Sequence, residues 1–239
     1  MPSFSIVVPF YNESSNINKL VTEIYDSLKE YNSFELICVN DGSSDNTNDI
    51  LEKIKINFPI KIIDNKSNLG QSFSIWTGVK NSNHKTVVTL DGDGQNNPYD
   101  IPKLLEIYFS KNFFSLVGGI RKKRKDSLLK IISSKIANKV RSLILNDDWI
   151  DTGCSLKVFD KDIFLLFPFF DGLHRFLPAL FKGYGMNIFF VNVDHRPRIS
   201  GMSKYGTLDR LYKGIIDIIR VKKIIRTYRL KNKDIKYDY

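Results

Sequence analysis

The stretch VVTLDGDGQNNPYDIP, residues 87–102, ends an apolar run in two aspartates and continues through glycine and proline. The apolar run favours a buried β-strand, which ends where the glycines begin. Asp91 and Asp93 stand one glycine apart, and Gln95 follows. Their oxygens suit hard cations such as Mg²⁺ or Mn²⁺, and Mg²⁺ is commonly completed by substrate phosphates. The stretch therefore suits a metal bound to a diphosphate, although an acidic glycine turn alone would have the same composition.

Strand and helix patterns alternate on both sides of this stretch. Apolar runs predict strands at residues 4–10, 34–41, 60–64, 85–93 and 113–119. Apolar residues at helical spacing predict helices at 15–31, 45–57 and 71–81, and a turn leading into a further helix after residue 97. Such alternation is typical of βαβ units. The expected fold class is therefore α/β, with an open, mostly parallel, doubly wound sheet and flanking helices.

Polar residues follow four of these predicted strands. They are Tyr11, Asn12 and Glu13 after the first; Asp41, Gly42 and Ser43 after the second; Asp91 and Asp93 at the end of the fourth; and Gly118, Gly119 and Arg121 after the fifth. Ligands of open α/β sheets bind beyond the carboxyl ends of the strands. The sequence therefore predicts one binding site built from four strand ends.

The alternation stops after about residue 125. The patterns predict a basic amphipathic helix at 126–145, a loop, strand and turn across 151–164, helix around a proline at 171–185, a strand at 187–198, a flexible loop at 200–206 and a long helix at 207–230. This last helix has a basic face and an isoleucine-rich face. It could lie on an anionic membrane surface, pack on the body of the protein or form a dimer interface.

The net charge of +10 is unevenly distributed. Residues 196–231 hold eleven Lys and Arg against two Asp, and residues 121–141 hold nine against one. Two basic segments on an acidic body indicate a polyanionic partner, although a coding bias toward lysine would also raise the charge. A nucleic-acid-binding module is disfavoured, because the predicted strand-end site is acidic and recognition motifs are missing. The remaining partners are anionic lipids and phosphorylated ligands.

Compartment signals are few. Cys38 and Cys154 stand in unrelated settings, which favours a reducing compartment over a disulfide framework. We see neither a signal peptide nor an apolar stretch long enough to span a membrane. The expected location is therefore cytoplasmic.

Four segments in this order resemble family 2 glycosyltransferases with the GT-A fold: SIVVPFYNE, VNDGSSDNT, SNLGQSFSIWTG and LDGDGQNNPYDIP. DTGCSLKVF, HRFLPAL and HRPRISGMSKYG further resemble the bacterial branch of polyprenyl-phosphate glycosyltransferases of the dolichol-phosphate mannosyltransferase type. The resemblance spans about residues 4–225. It departs at Gly92, where many relatives carry alanine, which we expect to be a small change, and in the absence of membrane helices after the catalytic domain.

The resemblance implies roles for individual residues. The nucleotide sugar would be bound by Pro9, Tyr11, Glu13, Asp41, Ser43, Asn68, Gly70 and Asp91. The metal, Mg²⁺ or Mn²⁺, would be held by Asp93 and Gln95 together with Asp91. Donor and acceptor phosphates would meet Arg121, Arg198 and Lys204. We add Arg175 as a phosphate-binding candidate, which could instead pair on its helix, and Asp151 as a catalytic candidate, which could instead form a turn.

The resemblance also implies a reaction. A sugar would pass with inversion from a UDP- or GDP-linked donor to a polyprenyl phosphate at the inner face of the membrane, for cell-envelope glycans or lipid modification. Residues 1–206 would form the catalytic domain, with a nucleotide-sugar half to about 121 and an acceptor half at about 122–206, before a basic helix and tail at 207–239. A homo-oligomer or a separate membrane protein would be a further partner.

Two alternatives stay open: a sugar-hydroxyl acceptor, with a base among the acids of NDDWIDTG, and a catalytically inactive scaffold, which the intact Asp91, Asp93 and Gln95 disfavour.

Overall fold

The computed structural model describes residues 2–111, 115–121, 141–147, 151, 153–197 and 207–231. The first half alternates as predicted. Its elements are β1 (Phe4–Phe10), α1 (Ile17–Ser27), β2 (Phe34–Asn40), α2 (Thr47–Ile54), β3 (Ile60–Asp64), α3 (Gln71–Lys80), β4 (Thr86–Thr89), a 3₁₀ turn (Pro98–Asp100), α4 (Ile101–Ser110) and β5 (Ser115–Arg121).

The second half contributes short elements and one long helix. They are β6 (Lys157–Asp160), α5 (Lys161–Leu166), a 3₁₀ turn (Leu173–Arg175), α6 (Leu177–Gly183), β7 (Asn187–Val193) and α7 (Thr207–Lys231). Residues 141–145 are helical as well. The predicted turn after β6 is instead the helix α5, because Asp160 caps it: the backbone N–H of Ile163 donates to the Asp160 carboxylate at 2.9 Å. The rest of the helix predicted at 126–145 and the loop predicted at 200–206 lie outside the described residues.

The described strands form one seven-stranded sheet in the order β3-β2-β1-β4-β6-β5-β7. β1 pairs in parallel with β2 and β4, β2 with β3, and β5 with β7. Only β6, among the described strands, runs antiparallel to its neighbours β4 and β5. The open, mostly parallel α/β sheet with flanking helices is therefore confirmed.

Alternate residues of the central strands face two separate cores. In β1, Ile6 and Val8 belong to the core beneath α1, α2 and α4, whereas Val7 faces the core formed with α3, α5, α6 and α7. Both sides of the strand are buried, as expected for a central parallel strand covered by helices. Helices on both faces leave the carboxyl ends of the strands as the open edge of the sheet.

α7 packs one side on the body of the protein. Val221 and Ile225 are buried, Ile225 against Gly183 of α6, and Tyr228 stacks on Tyr184 with ring centroids 3.6 Å apart. Within the described residues, no helix combines the length and the apolar character needed to cross a bilayer. Of the interpretations open for this helix, packing on the body is therefore observed, and it leaves another side of the helix exposed.

Candidate active site at the β1/β4 strand ends

The strand order of the sheet reverses at β1. β2 and β3 lie on one side of β1, and the next strand of the chain, β4, lies on its other side. Such a switch point opens a crevice beyond the two strand ends. β4 ends at Thr89, earlier than predicted, so Asp91 and Asp93 lie in the loop that follows it. This loop lies against the end of β1. A Cβ atom added to Gly92 would lie 2.6 Å from the Pro9 carbonyl oxygen, so alanine here is not the small change that we expected.

Asp93 and Gln95 are partly exposed in this loop. Asp93 accepts one hydrogen bond, from the Gln95 backbone N–H at 3.0 Å. The Gln95 side-chain nitrogen lies 3.3 Å from the Arg196 carbonyl oxygen and 3.4 Å from His195 Nε2. This places the amide nitrogen toward Arg196 and leaves the amide oxygen as the end available for a cation. The donor set of Asp91, Asp93 and Gln95 therefore fits a hard divalent cation.

The described residues hold no group of three or more His, Cys, Asp and Glu side chains arranged for a metal. Two carboxylates and one amide are too few to complete an octahedral magnesium site, and such sites commonly take water and substrate phosphate as further ligands. The arrangement therefore fits a cation that binds together with a diphosphate.

Asp91 is held on both carboxylate oxygens. Gln71 Nε2 donates to Oδ1 at 2.5 Å, and Ser155 Oγ donates to Oδ2 at 2.6 Å. Burial and the charge of Asp93 raise the pKa of Asp91 to about 6, against the opposing effects of Ser155, Lys157 and Arg121. Neither Gln71 nor Ser155 was singled out from the sequence.

Arg121 and Asp151 form a nearly buried bidentate ion pair. Arg121 Nε lies 2.7 Å from Asp151 Oδ2, Arg121 Nη2 lies 2.6 Å from Oδ1, and the Arg121 backbone N–H also donates to Oδ2. Arg121 is the last residue of β5 rather than following it. The structure thus brings two candidates together and aligns the guanidinium through the carboxylate, since fork-like pairs fix geometry as well as charge.

Lys157 is a buried cation that sequence reasoning missed. Lys157 is the first residue of β6 and is 2% exposed. Its ammonium donates to the Cys154 carbonyl oxygen. Burial lowers the pKa of Lys157, an effect that the neighbouring Cys154, Asp91 and Asp151 oppose. The sequence around Lys157 did not indicate a site residue, because its acidic neighbours are distant in the chain. They are Asp91, in the loop after β4, and Asp151.

Asp41 anchors the loop that leads into α3. Its carboxylate accepts from the backbone N–H groups of Leu69 at 3.0 Å and Gly70 at 2.9 Å and from Asn65 Nδ2 at 2.8 Å. Asp41 is 3% exposed, whereas Asn68 is exposed on this loop. The structure therefore brings Asp41 and Gly70 together through a hydrogen bond, and Asn68 lies on the same loop without an observed bond to Asp41.

The turns after β1 and β2 are joined by side-chain hydrogen bonds. The Asn12 backbone N–H donates to Ser43 Oγ at 3.0 Å, and the Glu13 backbone N–H donates to Thr47 Oγ1 at 3.1 Å. Glu13 also accepts from Asn16 Nδ2 at 2.7 Å. These bonds hold the turn that contains Tyr11 and Glu13 next to the turn that contains Ser43, at the carboxyl ends of β1 and β2.

Arg175 and His174 lie in the 3₁₀ turn between α5 and α6. Arg175 Nη2 is 3.5 Å from the Asp217 carboxylate of α7, so the observed partner of this arginine lies on another helix and not on its own, as the alternative had it. His174 is half-buried, with Nδ1 2.6 Å from Ser72 Oγ of α3. Arg198 and Lys204, the other phosphate-binding candidates, lie outside the described residues.

Comparison with known proteins identifies relatives. The model of the family described as Glycosyl transferase family 2 matches residues 5–166. A dodecaprenyl-phosphate galacturonate synthase of Rhizobium johnstonii is 33% identical over 93% of this chain and 67% of its own length. An undecaprenyl-phosphate 4-deoxy-4-formamido-L-arabinose transferase of Proteus mirabilis is 33% identical over 85% of this chain and 63% of its own. The chain thus spans about two thirds of the length of these relatives.

Solved structures share the fold. A glucosyl-3-phosphoglycerate synthase from Mycobacterium tuberculosis, in complex with Mn²⁺, UDP and glucosyl-3-phosphoglycerate, superposes with a TM-score of 0.66. The match covers 92% of this chain and 78% of that one at 18% identity. At this identity the likeness concerns architecture, and it agrees with the GT-A fold expected from the sequence.

Proposed function

This chain belongs to glycosyl transferase family 2, and from that premise we propose that it transfers a sugar from a nucleotide-diphosphate donor to a polyprenyl phosphate. The observation that carries the proposal is the gathering of Asp91, Asp93 and Gln95 at the β1/β4 crevice, within electrostatic reach of Arg121. Two relatives, a dodecaprenyl-phosphate and an undecaprenyl-phosphate sugar transferase, support the acceptor.

The donor would lie in the crevice, with its diphosphate at the loop after β4. Asp93, Gln95 and Asp91 would hold a divalent cation, Mg²⁺ or Mn²⁺, which supplies a Lewis acid for the diphosphate. The nucleotide part of the donor would contact the end of β1 and the turns after β1 and β2, which contain Pro9, Tyr11, Glu13 and Ser43. The loop anchored by Asp41 would lie on the same side of the nucleotide. A structural relative that binds Mn²⁺ and UDP supports this arrangement.

The acceptor phosphate needs positioning more than deprotonation, because a phosphate ester is already ionised at neutral pH. One of its oxygens would form a bond to the anomeric carbon while the bond from that carbon to the nucleotide diphosphate breaks. The electron pair leaves with the diphosphate, and because the phosphate oxygen would attack from the opposite face in a single displacement, the configuration at the anomeric carbon would invert. Arg121, aligned by Asp151, would be a cation that meets these phosphates.

A sugar-hydroxyl acceptor would instead require a carboxylate base. Asp151 has both carboxylate oxygens bound to Arg121, and the fully buried Asp147 lies 3.3 Å from Arg141. Both acids of the NDDWIDTG segment that the structure describes are thus engaged by arginines. This favours the phosphate acceptor over the hydroxyl acceptor.

A lipid acceptor would bring the chain to the inner surface of the cytoplasmic membrane as a peripheral protein. α7 and residues 141–145 enclose a groove of about 570 Å³, lined by Ile144, Ile215, Ile218, Ile219, Lys222, Lys223 and Arg226. Ile219 is 65% exposed. An apolar floor with a basic rim fits a bilayer that carries anionic lipids.

The direct test is a transfer assay. Purified protein, Mn²⁺ or Mg²⁺ and undecaprenyl phosphate are incubated with a panel of UDP- and GDP-sugars, with and without EDTA. The proposal predicts a lipid-linked sugar that disappears with EDTA. A product formed on a soluble sugar hydroxyl, or a lipid product that is unchanged by EDTA, would contradict it.

A further inference from the structure

Asp91 is a candidate site residue whose two carboxylate oxygens are each held by the side chain of a residue from another part of the fold. Both of its oxygens accept short hydrogen bonds, from Gln71 at 2.5 Å and from Ser155 at 2.6 Å. A carboxylate has about four lone-pair positions, so two protein donors leave about two for a ligand. The direction in which Asp91 faces its ligand is therefore set by two residues that belong to other elements.

The donor on one side, Gln71, is itself fixed. It is the first residue of α3, and the preceding residue, Gly70, donates its N–H to the buried Asp41 carboxylate at 2.9 Å. The next residue, Ser72, is within 2.6 Å of His174 Nδ1 and accepts from the Gly172 N–H at 2.8 Å. Anchors on both neighbours leave the Gln71 side chain little freedom to follow a displaced Asp91.

Ser155 approaches from the other half of the chain and is equally fixed. Its carbonyl oxygen accepts from Thr89 Oγ1 at 2.8 Å, so the backbone of Ser155 is tied to the end of β4, two residues before Asp91. The next residue, Leu156, accepts from the Gly119 N–H of β5 at 2.9 Å. The hydroxyl of Ser155 thus closes a small ring that runs through Thr89 and Asp91.

We infer that Gln71 and Ser155 are positioning residues that set the metal and diphosphate affinity of this site by clamping the Asp91 carboxylate between them. They act through Asp91 and do not touch the reacting atoms. Groups that orient a metal-binding residue commonly change metal affinity about 10–100-fold when they are removed. The inference rests on the proposed function, because it assumes that Asp91 serves a metal-bound diphosphate.

The test measures Mn²⁺ binding in the presence of UDP, and separately of GDP, by the electron paramagnetic resonance signal of free Mn²⁺. Ser155→Ala and Gln71→Ala should each weaken binding about 10-fold. Ser155→Thr, which keeps the hydroxyl, should stay within about 3-fold of the wild type. The matched control is Ser82→Ala, which removes a buried hydroxyl that donates to the Val79 carbonyl at 2.7 Å, just after the end of α3 opposite to Gln71. It should bind Mn²⁺ as the wild type does.

A second comparison separates positioning from a general structural effect. In an Asp91→Ala background, Ser155→Ala should cause no further loss of Mn²⁺ affinity, because residues acting through one partner are not additive. The same additional loss in both backgrounds would overturn the inference, as would unchanged binding by Ser155→Ala alone. Thermal melting of each variant verifies folding, and Ser155→Thr keeps the test valid if the alanine variant does not fold.

Mn²⁺ binding by the wild type distinguishes a failure of the proposed function from a failure of the inference about Gln71 and Ser155. Failure of the wild type to bind Mn²⁺ with either nucleotide would overturn the proposed function and this inference together. Wild-type binding that Ser155→Ala and Gln71→Ala leave unchanged would overturn this inference alone.

Discussion

Gly92 separates the two carboxylates of the site and lies in contact with the end of β1. An added methyl group would lie 2.6 Å from the Pro9 carbonyl oxygen and 2.5 Å from Phe10 Cδ1. Gly92→Ala should therefore lower the free energy of unfolding by about 1–3 kcal/mol, the usual cost of overpacking, as measured by denaturant titration. The control is Gly214→Ala in α7, where no atom lies within 4 Å and helix propensity should add up to about 1 kcal/mol. A Gly92→Ala variant as stable as the wild type would contradict the close packing of Gly92 against Pro9 and Phe10.

His174 should make stability depend on pH. Burial, together with the charges of Arg175 and Lys157, lowers the pKa of His174 from 6.5 to about 3. Between these values the unfolded chain binds a proton that the folded chain does not, so stability falls as the pH drops below 6.5. The slope from this residue is about 1.4 kcal/mol per pH unit.

Denaturant titrations from pH 8 to pH 4 measure this slope. His174→Gln should be less stable at pH 8, because it loses the contact with Ser72, but should show a shallower decline below pH 6.5. His84→Gln is the control and should decline as the wild type does. Parallel curves for the wild type and His174→Gln would rule out the protonation account.

At the residue scale, the sequence revealed the acids and not their partners. Asp91, Asp93 and Gln95 are close together in the chain, so their common chemistry was visible in one short stretch. Ser155 and Lys157 meet these residues across the β4–β6 pairing, which no local pattern specifies. The site roles assigned to individual residues stay predictions.

At the element scale, the predicted strands of the first half agree closely with the structure, because short apolar runs bounded by polar turns define buried parallel strands. The place of β6 in the strand order could not be predicted from its local sequence. β6 has only four residues and inserts antiparallel between β4 and β5, whose own segments precede it by many residues. Long-range pairing, rather than local propensity, decides the location of so short a strand.

The exposed side of α7 gives a prediction at the same scale. If the groove that contains Ile219 lies on the bilayer, Ile219→Glu should reduce sedimentation with vesicles that contain anionic phosphatidylglycerol, because a buried charge in that interface is costly. Ile56, which is 84% exposed after α2, supplies the control Ile56→Glu, which should bind as the wild type does. Equal loss in both variants would indicate an effect of charge alone and contradict this assignment of the surface.

At the scale of the whole molecule, residues from both halves of the chain meet in one sheet. β6 of the second half lies between β4 and β5 of the first, and Ser155 and Asp151 reach the strand-end site from the second half. Predicted boundaries at about residues 121 and 206 stay predictions. Under the proposed function, this arrangement would let a donor bound to the first half meet a phosphate acceptor bound to the second.

The measurement that tests the central claim most directly compares three proteins with the active donor found in the transfer assay: the wild type, Asp93→Ala and Asp162→Ala. Asp162 is an exposed acid paired with Lys85 at 3.8 Å, so its loss removes the same charge away from the crevice. Single-turnover transfer to undecaprenyl phosphate should fall at least about 100-fold in Asp93→Ala and stay at the wild-type rate in Asp162→Ala. Full turnover by Asp93→Ala would contradict the account.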